Sequence, residues 1–524
     1  MKIHATPFVG TLLLGLVISC SVEKPDRPMA SRYDERYRPQ FHFSPAENWM
    51  NDPNGLVYLA GEYHLFYQYN PEGTRWGHMS WGHAVSPDLL HWEHLPVALS
   101  EQPGYMIFSG SAVIDWNNSS GLGTVETPPL VAIFTAAAEG NQSQSIAVSQ
   151  DRGRTFKEYP GNPVVDLGEA DFRDPKVFWY EPGQEWIMVV SMAAALKVQF
   201  YASKDLRQWQ LLSEFGPAGA QQKPNWECPD LFPVLVDGQP GVTRWVLKVD
   251  LGANAIAGGS GGEYFVGGFD GKEFRPDSPI DVVHWVDYGP DFYASQSWSD
   301  IPAEDGRRIW VGWMNNWAYA QDIPTHPWRS AQSIPRSLSL KKRGENWRLA
   351  QEPVVELQQL RIAEGAFYLE GKSWKEAAAE IERARVAGDL LEIRMSVSGS
   401  PRKPFGLSVR EGEQEETRVG VQPEGPLLFL DRSESGDASF YNGFGRRFEA
   451  PLSGSLDGGL DLHLFVDSSS VEVFADDGTA VITAQIFPRR ESTGVSLFGE
   501  GDDLVVDRLE IWKLGSVWRE TARD

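Results

Sequence analysis

Cysteine and basic residues are both scarce in this sequence. Only two of the 524 residues are cysteines, Cys20 and Cys228, so a framework of several disulfides is excluded. The 47 Lys and Arg residues are outnumbered by 72 Asp and Glu residues, which gives a formal charge of −25 at pH 7. Binding to nucleic acid requires a basic face that displaces counterions from the phosphates. We therefore exclude a nucleic-acid partner and expect a neutral substrate.

Motifs for cofactor and metal binding are also missing. The sequence has no dense His and Cys cluster with zinc spacing, and it has no Walker or dinucleotide-binding loop. The run GGSGG at residues 258–262 lacks a following helix pattern, so it indicates a surface hairpin or loop. His78 and His83 lie near acidic residues, but hydrogen bonding explains them better than metal binding. The sequence therefore predicts no cofactor and no metal.

The N-terminus carries a short apolar run from Phe8 to Ile18, preceded by Lys2. A run of this length cannot span a bilayer and is typical of a secretory signal. The letters VISC, ending at Cys20, are similar to the lipobox of bacterial lipoproteins, in which the cysteine is lipidated. The alternative is an ordinary signal peptide with an incidental cysteine. We predict a signal peptide over residues 1–19, a membrane anchor on Cys20 at the periplasmic or cell surface, and a flexible tether over residues 20–38.

The composition favours strands over helices. With 51 Gly, 35 Pro, 20 Trp, 16 Tyr and 26 Phe, the chain has the residues of many short strands joined by tight turns. Its length is greater than one hydrophobic core usually serves. An all-β protein of two or three domains is expected.

A Ser-x-Asp turn that leads to an aromatic residue recurs along the first part of the chain. Its copies are SPDLLHW, SQDRGRTF, SKDLRQW and the degenerate GFDGKEF, with Asp at positions 88, 151, 205 and 270. Alternating apolar runs such as YHLFYQY, LVAIF and EWIMVVS separate the copies and predict strands. A period near 60 over residues 39–347 allows five units, and such units around an axis make a five-bladed β-propeller. A β-sandwich of the same strands is the alternative.

Three acidic residues stand at similar intervals before these turns. They are Asp52 in WMNDPNG, Asp174 in DFRDPKVF and Glu227 in NWECPDLF. The innermost strand of each propeller blade faces the central axis, so equivalent positions in three blades would meet there. Asp-Pro turns and a hydrogen-bonded structural acid are the alternative explanation for each residue taken singly. Convergence of like charges opposes folding, which favours a functional role for the three together.

Convergent carboxyl groups are what glycoside hydrolysis requires. One carboxylate must be ionised to attack or stabilise an oxocarbenium-like centre, and another must hold a proton for the leaving oxygen. Two nearby acids reach different protonation states because their mutual repulsion raises the pKa of one of them. The sequence therefore predicts a glycosidase site.

The motifs resemble those of glycoside hydrolase family 32, the β-fructosidases that include invertases, inulinases and levanases. The resemblance covers nearly the whole chain after the tether and is carried by WMNDPNG, HLFYQYNP, WGHMSWGHAVSPDLLHW, FSGSAV, FRDPKV, WECPDLF, DFYASQSW and PWRSAQSIPRSLSL. It implies a five-bladed propeller followed by a β-sandwich. It also implies retaining hydrolysis through a covalent intermediate.

The resemblance implies a role for each acid. Asp52 is expected to attack C2 of a terminal fructosyl unit, and Glu227 to protonate the leaving oxygen and then activate water. Asp174 is similar to the third carboxylate of the family, which holds sugar hydroxyl groups, and Arg173 is expected to keep it ionised. Cys228 is expected to be a structural thiol. Further positions match the substrate pocket: Asn51, Gln68, Trp76, Phe108, Ser109 and Trp49, with Trp313 as a weaker candidate whose alternative is a core position in the fifth blade.

The texture of the sequence changes near residue 348. Residues 348–361 have helical apolar spacing and predict a short link, while alternating runs in residues 362–516 predict the β-sandwich, followed by a tail over residues 517–524. The stretch SWKEAAAEIERARV favours a helix by propensity, although the resemblance implies strands there. We expect a structural role for the sandwich.

The leading hypothesis is an exo-acting fructan hydrolase acting on levan, inulin and possibly sucrose. DFYASQSW and PTHPWRSAQSIPR are more similar to bacterial levanases and exo-inulinases than to invertases. An endo-levanase or an invertase of the same family is the alternative. A non-catalytic fructan-binding lipoprotein is the alternative of another class, but it should have lost at least one of the three acids, and all three are present.

Overall fold

The computed structural model describes residues 33–220, 225–239, 241–344, 346–453, 459–499 and 503–518. The predicted signal peptide, Cys20 and most of the predicted tether lie outside these residues. Strands dominate the described part, and its one α-helix is α1 (Trp374–Ala384). No helix in these ranges has the length and apolar character needed to cross a membrane.

The N-terminal half folds into five sheets whose strands are consecutive in the chain. The first blade contains β1 (Asn48–Leu59), β2 (Glu62–Asn70), β3 (Ser80–Ser86) and β4 (Glu93–Leu99). The second contains β5 (Tyr105–Ile114), β6 (Leu130–Ala138), β7 (Asn141–Ser149) and β8 (Lys157–Glu158), and the third β9 (Phe172–Tyr180), β10 (Glu185–Met192), β11 (Lys197–Ser203) and β12 (Gln210–Phe215). The fourth contains β13 (Trp226–Leu235), β14 (Thr243–Leu251), β15 (Gly261–Phe269) and β16 (Phe274–Pro276).

The fifth blade closes the ring. It contains β17 (Tyr293–Ser297), β18 (Arg308–Met314), β20 (Ala331–Gln332), β21 (Arg336–Arg343) and β22 (Asn346–Pro353), and β19 (Trp328–Arg329) precedes β20 in the chain. Strand β19 leaves this blade and pairs in parallel with β1, with Asn48 opposite Trp328. The predicted five-bladed propeller is confirmed, and closure leaves no free gap between its first and last blades.

The recurring Ser-x-Asp turn joins the third strand to the fourth in blades one to four. In the first blade the Oδ1 atom of Asp88 accepts the backbone N–H groups of Leu90 and His91 at 3.0 and 2.9 Å. Asp205 and Asp270 each accept two backbone N–H groups in the same way at the corresponding turns. The repeat in the sequence is therefore an Asp-stabilised turn, because a short carboxylate satisfies backbone donors that the turn leaves open.

Each innermost strand contains a β-bulge. The pairing with the second strand of the blade shifts by one residue at Met50–Pro53 in β1, Phe108–Gly110 in β5, Arg173–Lys176 in β9, Glu227–Asp230 in β13 and Tyr293–Gln296 in β17. A bulge bends the strand and redirects the side chains beside it. The five bulges lie at the same level of the propeller, around one end of its axis.

The C-terminal half is a two-sheet sandwich. One sheet has the order β23-β33-β24-β29-β30-β31 and the other β28-β27-β26-β25-β32. The strands are β23 (Arg361–Ser373), β24 (Leu391–Gly399), β25 (Phe405–Gly412), β26 (Glu415–Gln422), β27 (Leu427–Glu434), β28 (Arg447–Pro451), β29 (Leu460–Asp467), β30 (Ser470–Ala475), β31 (Ala480–Gln485), β32 (Gly494–Phe498) and β33 (Leu504–Leu514). Their inward residues form one hydrophobic core, which confirms the predicted sandwich.

Helix α1 confirms the helix expected from propensity. Ser373 and Glu376 form a capping box, in which each side chain is bonded to the backbone N–H of the other residue. The buried side chains Trp374, Ala377 and Ile381 lie at helical spacing and pack on the sandwich core. Local propensity therefore outweighs the strand-rich pattern of the surrounding region.

The predicted helical link over residues 348–361 is only partly present. Residues up to Pro353 belong to β22 and pair with β21, and a 3-10 helix follows over Val355–Leu360. Leu349 is buried opposite Leu340, so the apolar residue that suggested a helix belongs to a strand. Arg343 at the end of β21 pairs with Asn346 at the start of β22, so the two strands form a hairpin and this pairing decides the conformation.

Buried ion pairs join the propeller to the sandwich. The guanidinium of Arg336 in β21 donates to Asp287 at 3.1 Å, to Glu472 of the sandwich, and to Thr483 Oγ1 at 2.6 Å. It is fully buried over the ring of Phe292. A buried cation is tolerated only where such partners are supplied. The two domains therefore share an interface in which both terminal nitrogen atoms of the Arg336 guanidinium have partners.

His42 extends this network before the first strand. Its Nδ1 and Nε2 atoms lie 2.7 Å from Asp467 and 2.8 Å from Glu472. Burial lowers the pKa of His42, but the two carboxylates outweigh it and raise the pKa to about 9. A protonated His42 thus connects the start of the propeller to the sandwich.

Candidate active site

The three predicted acids meet in one pocket of about 260 Å³ at the bulged end of the propeller axis. Its lining contains Asn51, Asp52, Gln68, Trp76, Phe108, Ser109, Arg173, Asp174, Glu227 and Trp317. All the predicted pocket positions except Trp49 and Trp313 are among them. The convergence inferred from the repeat is therefore present in the structure.

The turn-forming dipeptides in the motifs lie inside strands. Asp52-Pro53 and Asp174-Pro175 are in β1 and β9, and Cys228-Pro229 is in β13, each pair at a bulge. Proline has no N–H for the ladder, so a bulge is one of the few places in a sheet that accepts it. Asp174 has φ of 66° and Cys228 φ of 46°, in the left-handed region. The alternative explanation as ordinary turns is wrong, because the bulges aim these side chains at the axis.

Asp52 is held at both carboxyl oxygens. Ser109 Oγ donates to Oδ2 at 2.7 Å, and the side-chain amide of Asn51 donates to Oδ1 at 3.1 Å. Burial raises the pKa of Asp52, the charge of Glu227 raises it further, and the hydrogen bonds from Ser109, Asn51 and Cys228 oppose both. The donors fix the orientation of the carboxyl group and favour its ionised form.

Asp174 is anchored through the backbone on both sides. Its Oδ2 accepts the N–H of Cys228 at 2.9 Å, and its own N–H donates to Thr135 Oγ1 at 3.0 Å. Burial raises the pKa of Asp174 to about 7; the Arg173 charge lowers it, and Glu227 and Asp52 raise it. Arg173 was expected to keep Asp174 ionised, and its charge does lower the pKa of Asp174, but burial outweighs that effect.

Arg173 instead binds Glu227. Its Nε and Nη2 atoms donate to Glu227 Oε1 at 3.1 and 2.9 Å, and Nη1 donates to Asp171 at 2.9 Å. The phenol of Tyr293 in β17 donates to the other oxygen, Oε2. Both oxygens of Glu227 thus have a donor, which sets the direction of its carboxyl group in the pocket.

Cys228 lies between Asp52 and Asp174. Its Sγ atom is 3.5 Å from Asp52 Oδ2 and 3.6 Å from Asp174 Oδ2. Burial, followed by the charges of the two aspartates, raises the pKa of the thiol well above its usual value. The thiol is therefore protonated and serves as a compact spacer, which fits the predicted structural role.

A buried Lys-Asp pair supports the wall behind Cys228. Lys248 Nζ donates to the carbonyl oxygen of Cys228 at 2.8 Å and to Asp250 at 2.5 Å. Asp250 is the strand partner of Glu227, and burial raises its pKa to about 7 against the influence of Lys248. This pair holds the bulge of β13 in place from the side away from the pocket.

Aromatic side chains form the mouth of the pocket. Trp76 is 39% exposed and meets Phe108 edge to face at 6.0 Å between ring centroids. The expected Trp49 and Trp313 do not line the pocket, because both are fully buried behind Trp317, at 5.9 and 4.8 Å. Trp49 contacts the site only through Asn51, because its Nε1 donates to Asn51 Oδ1 at 2.7 Å.

Trp317 and Tyr293 are the site residues that the sequence analysis did not identify. Tyr293 stands in the motif DFYASQSW at the start of the fifth innermost strand, so extending the blade equivalence to that strand would have found it. Trp317 lies in a loop after β18 with no counterpart in other blades. Nothing in the local pattern distinguishes it from the nearby Trp313.

The two histidines considered as a metal site contact different residues. His78 is exposed and lies 2.8 Å from Glu101, whereas His83 is buried 3.1 Å from His64. Across the described residues, no group of three or more His, Cys, Asp or Glu side chains has an arrangement that could hold a metal ion. The pocket offers carboxyl, amide, hydroxyl and aromatic groups, which suit a neutral polyhydroxylated ring.

Two family models match the chain in succession. The glycosyl hydrolases family 32 N-terminal domain matches residues 42–353, and the glycosyl hydrolases family 32 C terminal model matches residues 356–513. Together they include the propeller and most of the sandwich.

Among curated proteins, a levanase of Bacillus subtilis is 50% identical over 519 residues, covering 98% of this chain and 74% of the relative. An extracellular exo-inulinase of Aspergillus awamori is 40% identical over 526 residues, covering 93% and 96%. The crystal structure of exo-inulinase from Aspergillus awamori superposes with a TM-score of 0.84 at 39% identity, covering 93% of this chain and all of the other. A fructofuranosidase from Schwanniomyces occidentalis complexed with fructose gives 0.82 at 31% identity, covering 93% and 99%.

Proposed function

Because the chain belongs to family 32 of the glycosyl hydrolases, we propose that it is a retaining, exo-acting fructan β-fructosidase that releases terminal fructosyl units from levan or inulin. The carrying observation is that Asp52, Asp174 and Glu227 share one small pocket that is also lined by Trp76, Phe108 and Trp317. Levanase and exo-inulinase relatives that match over most of their length support this substrate class.

In the first step, an oxygen of the Asp52 carboxylate attacks C2 of the terminal fructosyl unit. The C2–O bond to the rest of the chain breaks, and the leaving oxygen takes the proton of the Glu227 carboxyl group. Ser109 and Asn51 keep Asp52 oriented for this attack. The product is a fructosyl ester on Asp52.

In the second step, water replaces the leaving chain. The Glu227 carboxylate takes a proton from the water, whose oxygen attacks C2 and breaks the ester bond to Asp52. Arg173 and Tyr293 hold Glu227 at its two oxygens, so the same group can face the leaving oxygen and then the water. Two inversions at C2 give net retention, and Asp52 is regenerated.

The remaining lining residues fit binding of one fructosyl ring. Asp174 accepts hydrogen bonds from sugar hydroxyl groups, and the side-chain amide of Gln68 bonds to others. The flat faces of Trp76, Phe108 and Trp317 pack on C–H surfaces of the sugar. We infer that the base of the pocket is closed, because Cys228 and the buried aromatic rings behind Trp317 pack in one cluster beside it. A chain cannot pass through a closed base, which favours attack at chain ends.

The first test is the product pattern. In the first few per cent of reaction on levan and on inulin, fructose should be the only product, released as the β-anomer. Sucrose should be tested beside them, because an invertase would prefer it. Early oligosaccharides of mixed length would replace exo-attack with the endo-acting alternative and leave the three roles unchanged.

The second test addresses the nucleophile. Asp52→Asn should fold normally and lose hydrolysis by several orders of magnitude, because the covalent route is removed. Ser213→Ala, on the outer strand β12, serves as a control that should keep full activity. Near-normal turnover by a folded Asp52→Asn protein would contradict the assignment.

We also propose that the enzyme is exported and held at a membrane by a lipid on Cys20. The extracellular relatives support export, and the VISC motif supports lipidation. Cys20→Ala should yield soluble enzyme or unprocessed precursor, since the lipid chains supply the anchor. Fractionation of cells that express each form tests this, and firm membrane association of the variant would refute it.

A further inference from the structure

A second cavity, of about 310 Å³, lies farther along the propeller axis than the pocket. The strand β9 passes the pocket at Asp174 and reaches this cavity with Lys176 and Trp179. The strand β5 likewise lines the pocket with Phe108 and the cavity with Ile114. Because the innermost strands of a propeller run parallel, the cavity opens at the end of the axis opposite the catalytic pocket.

Tryptophan side chains from three blades surround this cavity. Trp116 follows β5, Trp179 lies in β9, and Trp245 lies in β14, and all three line the cavity. Trp116 is 53% exposed. Trp179 and Trp245 are partly exposed. Flat aromatic faces that are open to solvent around one cavity are typical binding surfaces for sugar rings.

A guanidinium group with free donors forms part of the floor. Arg308 donates from Nη1 to the carbonyl oxygen of Trp298 at 3.1 Å, and the described residues offer no acceptor to its Nε and Nη2 atoms. Burial lowers the pKa of Arg308, and the charges of Asp230 and Asp300 oppose this shift without either carboxylate bonding to it. A half-buried guanidinium that retains free donors is expected where a ligand supplies the acceptors.

Asp300 provides the matching acceptor. Its Oδ1 accepts the indole N–H of Trp116 at 2.9 Å, and its Oδ2 has only a long contact of 3.5 Å with the backbone N–H of Ile114. Each carboxylate oxygen can accept more than one hydrogen bond. Free acceptor positions on Asp300 and free donors on Arg308 together complement hydroxyl groups, which both donate and accept.

The charges of the cavity favour a neutral ligand over an anion. Lys176, the other cation of the lining, is already occupied, since its Nζ lies 2.6 Å from the carbonyl oxygen of Ser297 and 3.4 Å from Asp230. The charge of Arg308 is countered by the charges of Asp230 and of Asp300, which lines the same cavity. No surplus of positive charge remains to select a phosphate or a carboxylate.

We propose that this cavity is a second, non-catalytic saccharide-binding site that holds a fructosyl unit of the polymer at the end of the propeller away from the active site. The sugar packs on Trp116 and bonds to Arg308 and Asp300. The choice of a fructan as ligand rests on the function proposed above. A bound polymer keeps other chain ends near the enzyme and raises their effective concentration at the catalytic pocket.

The binding test uses the full chain and a short levan oligosaccharide as the probe. In an Asp52→Asn background, which cannot consume the probe, calorimetry should find two molecules bound per chain. Adding Trp116→Ala or Arg308→Gln should remove one of them, and adding Tyr368→Ala, an exposed aromatic on the sandwich, should remove none. One bound molecule in all four proteins would overturn the proposal.

The kinetic test uses enzymes with an intact catalytic pocket. Trp116→Ala should raise KM for levan several-fold with kcat unchanged, and should leave KM for sucrose at the wild-type value, because sucrose has no second fructosyl unit to anchor. Trp116→Phe, which keeps a flat face, should recover part of the loss. Equal KM values on levan for wild type and Trp116→Ala would also overturn the second site.

The two proposals fail in different ways. If the wild-type enzyme releases fructose from levan but the oligosaccharide binds once per chain, only the second site is refuted. If the wild-type enzyme does not hydrolyse fructans, the proposed function is refuted. Binding of the oligosaccharide that is lost on Trp116→Ala would still establish the cavity as a saccharide site.

Discussion

At the scale of single residues, the surroundings of the site aspartates disfavour their ionised forms. Asp52, Asp174 and Asp250 are buried near one another and near Glu227, and burial raises the pKa of each of the three aspartates. Hydrogen bonds at Asp52 and a lysine at Asp250 offset only part of this effect. The arrangement therefore lowers the stability of the free enzyme while preparing its carboxyl groups for chemistry.

We predict that Asp174→Asn stabilises the protein at neutral pH. The folded pKa of about 7 lies above the ordinary value of 3.8. This carboxyl group therefore destabilises the folded state as the pH rises above 3.8, and the effect is complete above pH 7. The asparagine can still accept the N–H of Cys228. The gain in melting temperature should be largest near pH 7.5 and should shrink as the pH falls toward 4.

The matched control for this prediction is Asp281→Asn at an exposed aspartate in a loop. It should change the melting temperature little at either pH. Fructan hydrolysis by Asp174→Asn should fall sharply at the same time. A lower melting temperature for Asp174→Asn at pH 7.5 would contradict the view that burial of this charge opposes folding.

A second prediction at this scale separates the roles of the two reacting acids. Glu227→Gln should lower kcat by about 10²–10⁴-fold on levan, because proton donation to the leaving oxygen is lost. On an aryl fructoside, whose leaving group needs less protonation, the loss in the first step should be much smaller. Asp52→Asn should lose activity on both substrates, since the nucleophile is needed in either case. Equal losses on both substrates for Glu227→Gln would count against its acid role.

At the scale of elements, the five bulges of the innermost strands position the pocket. Three of them carry an Asp-Pro or Cys-Pro pair, and three place a residue other than glycine at positive φ: Asp174, Cys228 and Ala294. Such a conformation costs roughly 1–2 kcal/mol for a residue with a Cβ. The packing of neighbouring blades must supply that energy, which is consistent with a functional reason for the bulges.

We predict that this backbone strain is measurable at Ala294. Its φ of 52° favours glycine. Both Ala294→Gly and Ala112→Gly should lower the free energy of unfolding, but the loss at Ala294 should be smaller by about 1 kcal/mol or more. Ala112 is equally buried, but it lies in a regular part of β5. Chemical denaturation of both variants compares them directly. A larger loss at Ala294 would show that its lost side-chain packing outweighs the relief of strain.

At the scale of the whole molecule, the propeller and the sandwich are joined by buried charge. Arg336 and His42 from the N-terminal half share Glu472 of the sandwich, and Arg432 of the sandwich bonds to Asp291 at 2.7 Å. Removal of one partner would leave a buried charge without compensation. The two halves are therefore expected to unfold together.

The protonation of His42 predicts how that interface responds to pH. Its folded pKa of about 9 lies above the ordinary value of 6.5, so its contribution to stability is fully present below pH 6.5 and is lost as the pH rises through 9. This linkage is worth roughly 3 kcal/mol. Denaturation of wild type and His42→Gln from pH 6 to 9.5 should show a stability difference that narrows as the pH rises.

The control for this experiment is His91→Gln, at an exposed histidine on the propeller surface. It should give a small difference that does not vary in the same way. A stability difference between wild type and His42→Gln that stays constant up to pH 9.5 would contradict a protonated His42 at the interface.

The sequence by itself determined the strand-rich fold, the five-unit repeat and the three acids. These depend on short-range signals: alternation over a few residues, an Asp that stabilises the turn after it, and Pro beside an acid. Equivalence between blades then placed Asp52, Asp174 and Glu227 around one axis without any long-range information. The helix α1 was also determined locally, by its capping box and propensity.

Only the tertiary structure decided which neighbours those residues meet. Arg173 of the third blade binds Glu227 of the fourth blade, although its neighbour in sequence is Asp174. Trp317 lines the pocket, whereas Trp49 does not. The physical reason is the same in each case, since burial and pairing depend on what packs from another part of the chain, and local sequence carries no record of that packing.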